Sequence, residues 1–225
     1  SGGTEADNMA LRCAVVDLKV ERIITSKLEH HAVGHTAENL KEHFNTEIIY
    51  LSTDEFGNPS LEELSKLLIE DKKTLVSLMH ANNEIGTLLP IKEVSKLCNQ
   101  YENVYFHSDT VQTMGHYYID VHQLGIDFLT CSAHKLHGPK GIGFLYINNN
   151  LSLNPLITGG SQERKQRGGT ENIYGIIGLG KAMELAFSDL KNHQEYIQGL
   201  KSKMMNQLKE IDKRISFNGE IEQEK

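Results

Sequence analysis

The sequence predicts an α/β fold in which a mostly parallel sheet lies between two layers of helices. Short apolar runs rich in Val, Ile, Phe and Tyr alternate with stretches of helical character along the chain. Several of these runs are apolar throughout, as expected of strands that are covered on both faces. The chain has 225 residues without an internal repeat or a low-complexity linker, so we predict one domain spanning residues 1–225.

Each predicted strand is a short apolar run bounded by polar or turn residues. The strands are Arg22–Ser26, Glu47–Ser52, Thr74–His80, Val104–Asp109, Asp127–Ser132 and Gly143–Ile147. Capping signals locate the helices: Ser60 with Glu63 is a capping-box pattern, and Pro90 suits a first helical turn. The predicted helices are Thr4–Asp17, His31–Phe44, Ser60–Asp71, Pro90–Tyr101, Asn172–Asp189 and His193–Ile211.

Composition narrows the class of protein. The formal net charge is -7 and no long run of Lys or Arg occurs, so we expect no nucleic-acid partner. No apolar stretch approaches the roughly 20 residues of a membrane helix, and the first residues lack the pattern of a signal peptide. The three cysteines, Cys13, Cys98 and Cys131, have no Cys-x-x-Cys spacing, which favours free thiols in the cytoplasm.

Polar residues follow several predicted strands at the edge where ligands of open parallel sheets bind. Lys135 comes a few residues after the fifth strand, where a desolvated lysine can form a Schiff base. Asp109 ends the fourth strand, where it could pair with a protonated pyridine nitrogen or simply cap a helix. Gln112 could bind the phenolic oxygen of the same ring or be a surface amide. Together these residues indicate a pyridoxal-phosphate site.

A phosphate group requires donors, and two glycine-rich turns offer them. Gly3 and Thr4 stand at a helix start with free backbone N–H groups, a hydroxyl and the positive end of the helix dipole. Ser132 and His134 add side-chain donors next to Lys135. A second glycine-rich turn, residues 167–172, carries its own Arg and Thr.

The histidines could instead hold a metal. His30, His31 and His35 lie close in sequence, as do His134 and His137, but no His-Glu-x-x-His pattern or cysteine pair accompanies them. We therefore expect no metal site. An imidazole can also act as an acid–base group or stack on a flat cofactor ring.

Six motifs in order carry a resemblance to a known family: Gly3-Thr4-Glu5-Ala6-Asp7-Asn8, Glu29-His30, Asn82-Asn83-Glu84-Ile85-Gly86, Asp109-x-x-Gln112, Ser132-x-His134-Lys135-x-x-Gly138-Pro139-Lys140-Gly141 and Arg167-Gly168-Gly169-Thr170-Glu171-Asn172. The chain resembles the cysteine desulfurases of the NifS/IscS type over essentially its whole length. These are fold-type I pyridoxal-phosphate enzymes of the class-V aminotransferase family. The resemblance implies a sheet of seven-stranded type in a three-layer αβα large domain.

The resemblance also implies a role for each matching residue. Lys135 would bond the cofactor and move the proton at the substrate's α-carbon, while His30 would stack on the ring and act as an acid–base group. Asp109 would hold the ring nitrogen and Gln112 the phenolic oxygen. The remaining expected contacts are to the phosphate (Gly3, Thr4, Ser132 and His134), to the ring and substrate carboxylate (Asn83), and to the phosphate of the partner subunit's site in a homodimer (Thr170).

The sequence departs from the family pattern in several places. The persulfide-forming cysteine and the arginine that grips the substrate carboxylate belong to a C-terminal small domain, which we expect beyond Lys225. The family's N-terminal segment is likewise expected outside this chain. None of the three cysteines is assigned as nucleophile. Ala133 stands where the family commonly has Gly, and Thr110 where it commonly has Ala beneath the ring.

The implied activity converts L-cysteine to L-alanine and passes sulfur to an enzyme cysteine as a persulfide. The sulfur would then serve iron–sulfur or thio-cofactor assembly through an acceptor or scaffold protein. Alternatives are a selenocysteine lyase, another lyase or aminotransferase of this fold, a non-catalytic dimerisation fragment, and a metal hydrolase. The 225 residues alone are not expected to complete the cycle, because they lack the accepting cysteine.

Overall fold

Six strands form one sheet in a computed structural model that describes residues 1–219. They are β1 (Arg22–Ser26), β2 (Glu47–Leu51), β3 (Thr74–Ser77), β4 (Val104–Asp109), β5 (Phe128–Ser132) and β6 (Gly143–Ile147). Their order across the sheet is β2-β1-β3-β4-β5-β6, and all neighbours are parallel except β5 and β6. The mostly parallel sheet is confirmed, with six strands among the described residues where the resemblance implied a seven-stranded type.

Seven α-helices accompany the sheet in the described part of the chain. They are α1 (Gly3–Val16), α2 (His31–Phe44), α3 (Leu61–Leu68), α4 (Ile91–Cys98), α5 (Val121–Leu124), α6 (Ile173–Ser188) and α7 (Leu190–Ile211). Six of them were predicted to within a few residues. The seventh, α5, is a single turn that Asp120 caps by accepting N–H groups from His122 and Gln123. Four residues are too few to show a helical period.

The helices cover both faces of the sheet, which confirms the three-layer architecture. On one face α1 and α2 pack against β1 through residues such as Leu11, Leu40 and Ile23. On the other face α3 to α6 pack against residues that include Ile24. Adjacent residues of a strand point to opposite faces, so Ile23 and Ile24 belong to separate cores. This explains why the central strands β1, β3 and β5 are buried throughout.

The third strand was predicted to run to His80, but its regular pairing ends at Ser77. The chain nevertheless continues along β4. The N–H of Leu78 donates to the carbonyl of His107 (3.2 Å), and that of His80 donates to the carbonyl of Asp109 (2.9 Å). The strand pattern breaks on the other side, because the N–H of Met79 donates to the Glu29 carboxylate instead of to β1.

The capping box predicted at α3 is half correct. Ser60 caps the helix by accepting the N–H of Glu63 at 3.2 Å. The Glu63 carboxylate does not return to the N–H of Ser60. It accepts from the N–H (2.8 Å) and the hydroxyl (2.6 Å) of Ser52, which ties α3 to the end of β2. Tertiary contact with a neighbouring strand thus replaces the local bond.

The edges of the fold are more open than its centre. Strand β6 pairs with β5 and with no second strand among residues 1–219, and its five residues are all half-buried. Helix α7 buries none of its residues against the rest of the described chain. None of the helices in these residues combines the length and apolarity needed to cross a membrane.

A buried arginine connects β1 to the helix layer. Arg22 is 1% exposed; its Nε donates to Thr74 Oγ1 (3.1 Å) and its Nη2 to the carbonyl of Leu67 (2.8 Å), while Glu70 pairs with Nη1. We expect Arg22→Ala to lower the free energy of unfolding by about 2–4 kcal/mol, because it leaves a cavity and an unsatisfied carbonyl.

Urea unfolding of the full-length protein would measure the effect of Arg22→Ala. The matched control is Glu70→Gln, which removes the exposed partner of the pair and should change stability by less than about 1 kcal/mol. Equal stability of Arg22→Ala and the parent protein would contradict this account.

Candidate active site

The carboxyl ends of β4 and β5 meet the first turn of α1, and most of the predicted site residues gather there. Asp109 ends β4, Ser132 ends β5, and Lys135 lies in the short 3₁₀ turn Ala133–Lys135 that follows β5. A Cβ placed on Gly3 would lie 2.9 Å from Val111 Cγ2 and 3.7 Å from Ser132 Cβ. Glycine therefore allows the helix start to approach both strand ends. We call this region the rim.

The donors at the rim suit an anion. Helix α1 begins after Gly2 without a side-chain cap, so its first N–H groups are not satisfied by a capping side chain. The Ser132 hydroxyl lies 2.9 Å from His134 Nδ1 and 3.8 Å from a Cβ built on Gly2. Thr4, which follows Gly3, and His134 are both exposed. The predicted group of Gly3, Thr4, Ser132 and His134 is thus brought together.

The carboxyl group of Asp109 is buried without a full set of partners. Its Oδ1 accepts the N–H of Val111 at 2.9 Å, which leaves Oδ2 for another donor. Burial and the nearby charge of Asp7 raise the pKa of Asp109 to about 7, while Lys135 opposes that rise. The alternative role as a helix cap does not hold, because turns follow Asp109 and the next helix is α5.

Two departures from the family pattern are accommodated by local contacts. The Thr110 hydroxyl donates to the carbonyl of Thr130 at 2.8 Å, which is also bound by the Thr110 N–H at 3.1 Å. This bond satisfies the extra hydroxyl inside the sheet. Ala133 is fully buried, and a Cβ on Gly138 would lie 2.9 Å from its methyl group. A glycine at position 138 makes room for the alanine.

His30 caps helix α2 with its ring. Nδ1 accepts the N–H of Ala32 at 3.1 Å, while the residue as a whole is exposed. Because Nδ1 is an acceptor, the neutral ring carries its proton on Nε2. The sequence indicated an acid–base or stacking histidine but not this cap, since histidine is not among the usual capping residues.

Glu29 is a site residue that the sequence reasoning missed. Its carboxylate accepts the N–H of Met79 at 3.1 and 2.9 Å and the hydroxyl of Ser26 at 2.9 Å. Burial raises the pKa of Glu29 to about 8, and the charges of Asp109 and Asp7 add to the rise. Glu29 holds the turn before His30 against the end of β3, and no local pattern reveals a contact between residues so far apart in sequence.

The two adjacent asparagines after β3 have different environments. Asn82 accepts the N–H groups of Glu84 (2.8 Å) and Ile85 (2.9 Å) and donates to the carbonyl of Leu28 (2.8 Å). Asn83 is exposed and donates to Glu84 Oε1 at 3.0 Å. Asn82 thus builds the turn. Asn83, the predicted ligand, is held by its surface contact with Glu84 and not by a residue of the rim.

Gln112 and Thr170, the two remaining predicted cofactor contacts, lie in different segments of the chain. Gln112 is half-buried three residues after Asp109. Thr170 is exposed in the loop after β6, three residues after Arg167. The Arg167 guanidinium binds Glu5 through Nε (2.8 Å) and Nη2 (3.2 Å), which fixes this loop to the first turn of α1.

A cavity of about 340 Å³ lies next to the rim. It lies between the start of α1, strand β6 and the loop that carries Thr170, and Arg167 lines one wall. Lys135, Asp109 and His30 do not line it. The open edge of β6 explains the cavity, because Phe144 and Leu145 of that strand form part of its lining.

The Glu5–Arg167 ion pair makes stability depend on pH. The hydrogen bonds from Arg167 are the main reason why the pKa of Glu5 falls from 4.5 to about 2. A carboxylate with a depressed pKa stabilises the folded state above pH 4.5 and loses this effect as the pH falls towards 2. We expect Arg167→Gln to lower the urea midpoint near neutral pH, by a difference that becomes smaller as the pH falls below 4.5 towards 2.

Urea midpoints at about pH 7 and about pH 3 measure this linkage. The control is Arg164→Gln, which removes an exposed cation from the same loop. A difference between Arg167→Gln and the parent protein that is equally large at both pH values would exclude the ion pair as its cause.

The cysteines of this chain are poor nucleophiles. Cys13, Cys98 and Cys131 are all buried and unpaired. Burial raises the pKa of each thiol to about 12. Since the thiolate is the reactive form, none of the three suits persulfide chemistry.

The histidine groups do not converge on a metal site. His31 and His35 stack with ring centroids 4.8 Å apart, and His30 lies 6.1 Å from His31. No set of three or more His, Cys, Asp or Glu side chains in residues 1–219 is arranged to hold a metal ion.

The chain is similar in sequence to a known family and to curated proteins. The aminotransferase class-V family matches residues 1–225. A protein named cysteine desulfurase IscS from Dictyoglomus turgidum is 48% identical over 218 residues, which are 96% of this chain and 54% of that protein. Its namesake from Clostridium botulinum is 47% identical over 222 residues, covering 97% of this chain and 55% of the relative.

Solved structures of NifS-like proteins are similar to this chain in fold. A structure titled NifS-like protein superimposes with a TM-score of 0.89 at 37% identity, covering 94% of this chain and 58% of its own. The NifS-like protein of Rickettsia africae gives a TM-score of 0.84 at 33% identity, covering 93% and 56%. The chain spans about half the length of the curated relatives it matches.

Proposed function

Because the chain belongs to the aminotransferase class-V family, we propose that its rim binds pyridoxal phosphate and that Lys135 is the covalent anchor. The observation that carries this proposal is the buried Asp109 next to Lys135. Asp109 has one free oxygen and a pKa raised to about 7, which a cation bound at that oxygen would lower. A protonated pyridine nitrogen is such a cation, so the residues fit the cofactor.

The other rim residues fit the remaining parts of the cofactor. The N–H groups at Gly3 and Thr4, with the hydroxyl of Ser132 and the ring of His134, offer donors to a phosphate. Gln112, half-buried beside Asp109, is suited to the phenolic oxygen. Asn83 is assigned to the substrate carboxylate by its place in the motif after β3.

A cofactor of this kind, when bound, draws electrons from the amino acid attached to it and weakens the bonds at the α-carbon. Asp109 keeps the ring nitrogen protonated by its negative charge. Lys135 Nζ is the base that moves a proton at the α-carbon. His30 presents Nε2–H, because the Ala32 N–H occupies Nδ1, so the neutral ring can donate a hydrogen bond at Nε2 and can release that proton only when Nδ1 is protonated as well.

The proposed reaction of the complete protein converts L-cysteine to L-alanine and passes the sulfur to an enzyme cysteine as a persulfide. The names of the curated relatives support this substrate. The accepting cysteine must lie outside this chain, because Cys13, Cys98 and Cys131 are buried with raised pKa values. The sulfur is proposed to supply iron–sulfur or thio-cofactor assembly through an acceptor protein in the cytoplasm.

The protein is proposed to act as a homodimer. Helix α6 exposes an apolar group made of Ile173, Tyr174 and Ile177, which are 60%, 90% and 65% exposed. Such a patch is typical of a protein interface. Thr170 directly precedes it, so a second copy seated on this patch would meet the loop. This supports the role of Thr170 as a phosphate ligand for the partner subunit's site.

The test uses the full-length protein with L-cysteine and, separately, L-selenocysteine as substrates. Release of alanine from cysteine together with a persulfide on the protein would support the desulfurase. Release of alanine from selenocysteine but not from cysteine would indicate a selenocysteine lyase instead of a desulfurase. Protein purified with pyridoxal phosphate that retains no cofactor would refute the proposed site itself.

A further inference from the structure

A second buried carboxylate lies behind Asp109. Asp7 of α1 is 1% exposed, and its Oδ1 has no hydrogen-bond partner within the described residues. His107 Nε2 on β4 lies 3.5 Å from this oxygen. An orphaned buried carboxylate oxygen costs free energy, so its retention requires a compensating role.

His107 is held rigidly between three strands. The ring is completely buried, with Nδ1 2.8 Å from the hydroxyl of Ser77 on β3 and Nε2 3.1 Å from that of Thr130 on β5. With its proton on Nε2, the ring donates to the Thr130 hydroxyl and places the same N–H 3.5 Å from Asp7 Oδ1, while the Ser77 hydroxyl donates to Nδ1. His107 and Asp109 are two residues apart on β4, so they point to the same face.

The charges around Asp109 do not balance. Asp7 approaches from α1 and Glu29 from the turn before α2, and both carboxyls interact electrostatically with the charge of Asp109. On the β5 side, Cys131 is a neutral buried thiol, and Lys135 is the cation that acts on Asp109. Glu29, with its pKa raised to about 8, is mainly neutral at pH 7, so Asp7 together with Asp109 outweighs the single charge of Lys135 at the position proposed for the ring nitrogen.

We propose that Asp7 and His107 act as a positioning pair that increases the negative potential at Asp109 and so strengthens the binding of a cationic ring nitrogen there. The inference rests on the proposed function and deepens it. Asp7 supplies the charge, and the His107 Nε2–H dipole, 3.5 Å from Asp7 Oδ1, helps to keep this charge on a buried group. The opposite view is that Asp7 only packs α1 against β4.

Asp7→Asn separates the two views, because it keeps the shape of the side chain and removes its charge. In the cofactor-free protein we expect the pKa of Asp109 to fall by about one unit, measured from the ¹³C shift of its carboxyl carbon. In the same variant the Kd for pyridoxal phosphate should rise by about tenfold or more. The assignment of the carboxyl signal comes from Asp109→Asn.

Variants of His107 test its part in the pair. His107→Leu removes the donor and should reproduce both effects of Asp7→Asn, whereas His107→Gln keeps an amide donor and should restore them at least in part. The matched control, Glu42→Gln, removes one exposed carboxylate from α2 and should change neither quantity. Thermal unfolding identifies any variant that does not fold.

The outcomes distinguish the two levels of the argument. A weaker affinity of Asp7→Asn with an unchanged Asp109 titration would show that Asp7 only packs, and would overturn the inference. Unchanged affinity and titration would overturn it as well, while the proposed function would stand if the parent protein binds the cofactor. If the parent protein binds none, the proposed function fails, and the titration of Asp109 still tests the electrostatic pair.

Discussion

Replacing Lys135 with alanine is expected to abolish covalent attachment of pyridoxal phosphate and to reduce turnover by about 10³-fold or more in the full-length protein. The amine both anchors the cofactor and moves the proton at the α-carbon, so one substitution removes two functions. Lys135 is exposed and lies in a short turn, and the substitution should leave the fold unchanged. Borohydride reduction followed by mass spectrometry measures attachment, and alanine release measures turnover.

The control for this prediction is another exposed lysine of the same segment. Lys140 follows the Gly138-Pro139 turn, and Lys140→Ala should retain the cofactor adduct. An adduct of undiminished mass and yield in Lys135→Ala would mean that a different lysine is the anchor. Peptide mapping of the reduced protein would then identify it.

Replacing Asp109 with asparagine is expected to have two effects of opposite sign. Cofactor affinity and turnover should fall by about 10²-fold or more, because a neutral amide does not keep the ring nitrogen protonated. The cofactor-free protein should become more stable in mild alkali. The pKa of Asp109 is raised from 3.8 to about 7 by burial and by Asp7, so the parent protein loses stability as the pH rises from 3.8 towards 7, and this loss is complete above 7.

Urea midpoints of the cofactor-free protein at about pH 5 and about pH 8 would measure the stability effect. The parent protein should lose stability relative to Asp109→Asn between these values. Asp120 is the N-cap of α5, and asparagine also caps helices well. Asp120→Asn is therefore the matched control. A variant that bound the cofactor as tightly as the parent protein would exclude Asp109 as the partner of the ring nitrogen.

The fold could be predicted from local patterns because its central strands are buried on both faces. Runs such as Arg22–Ser26 and Val104–Asp109 have no polar alternation to obscure their limits, and both were placed correctly. Position at the strand ends also predicted that Asp109 and Lys135 lie at the same edge of the sheet. The rule that strand ends share one edge requires no knowledge of distant contacts.

The parts that could not be predicted depend on contacts between distant segments. Glu29 binds the N–H of Met79, which shortens the third strand, and Glu63 binds Ser52 instead of completing its capping box. Asp7 and His107 are a hundred positions apart. Residue types alone do not indicate which distant backbone group a carboxylate will reach.

The ring of His30 has a consequence for local motion, because the proposed proton donor also begins a helix. A side-chain cap contributes about 1 kcal/mol to helix stability in other proteins. In α2 the cap is the hydrogen bond that His30 Nδ1 accepts from the N–H of Ala32. Whenever the ring turns or Nδ1 takes up a proton, this bond is broken and the first turn of α2 is free to fray. Local unfolding of α2 is thereby coupled to the orientation and the protonation of the His30 ring. Hydrogen exchange at the N–H of Ala32 would report this coupling.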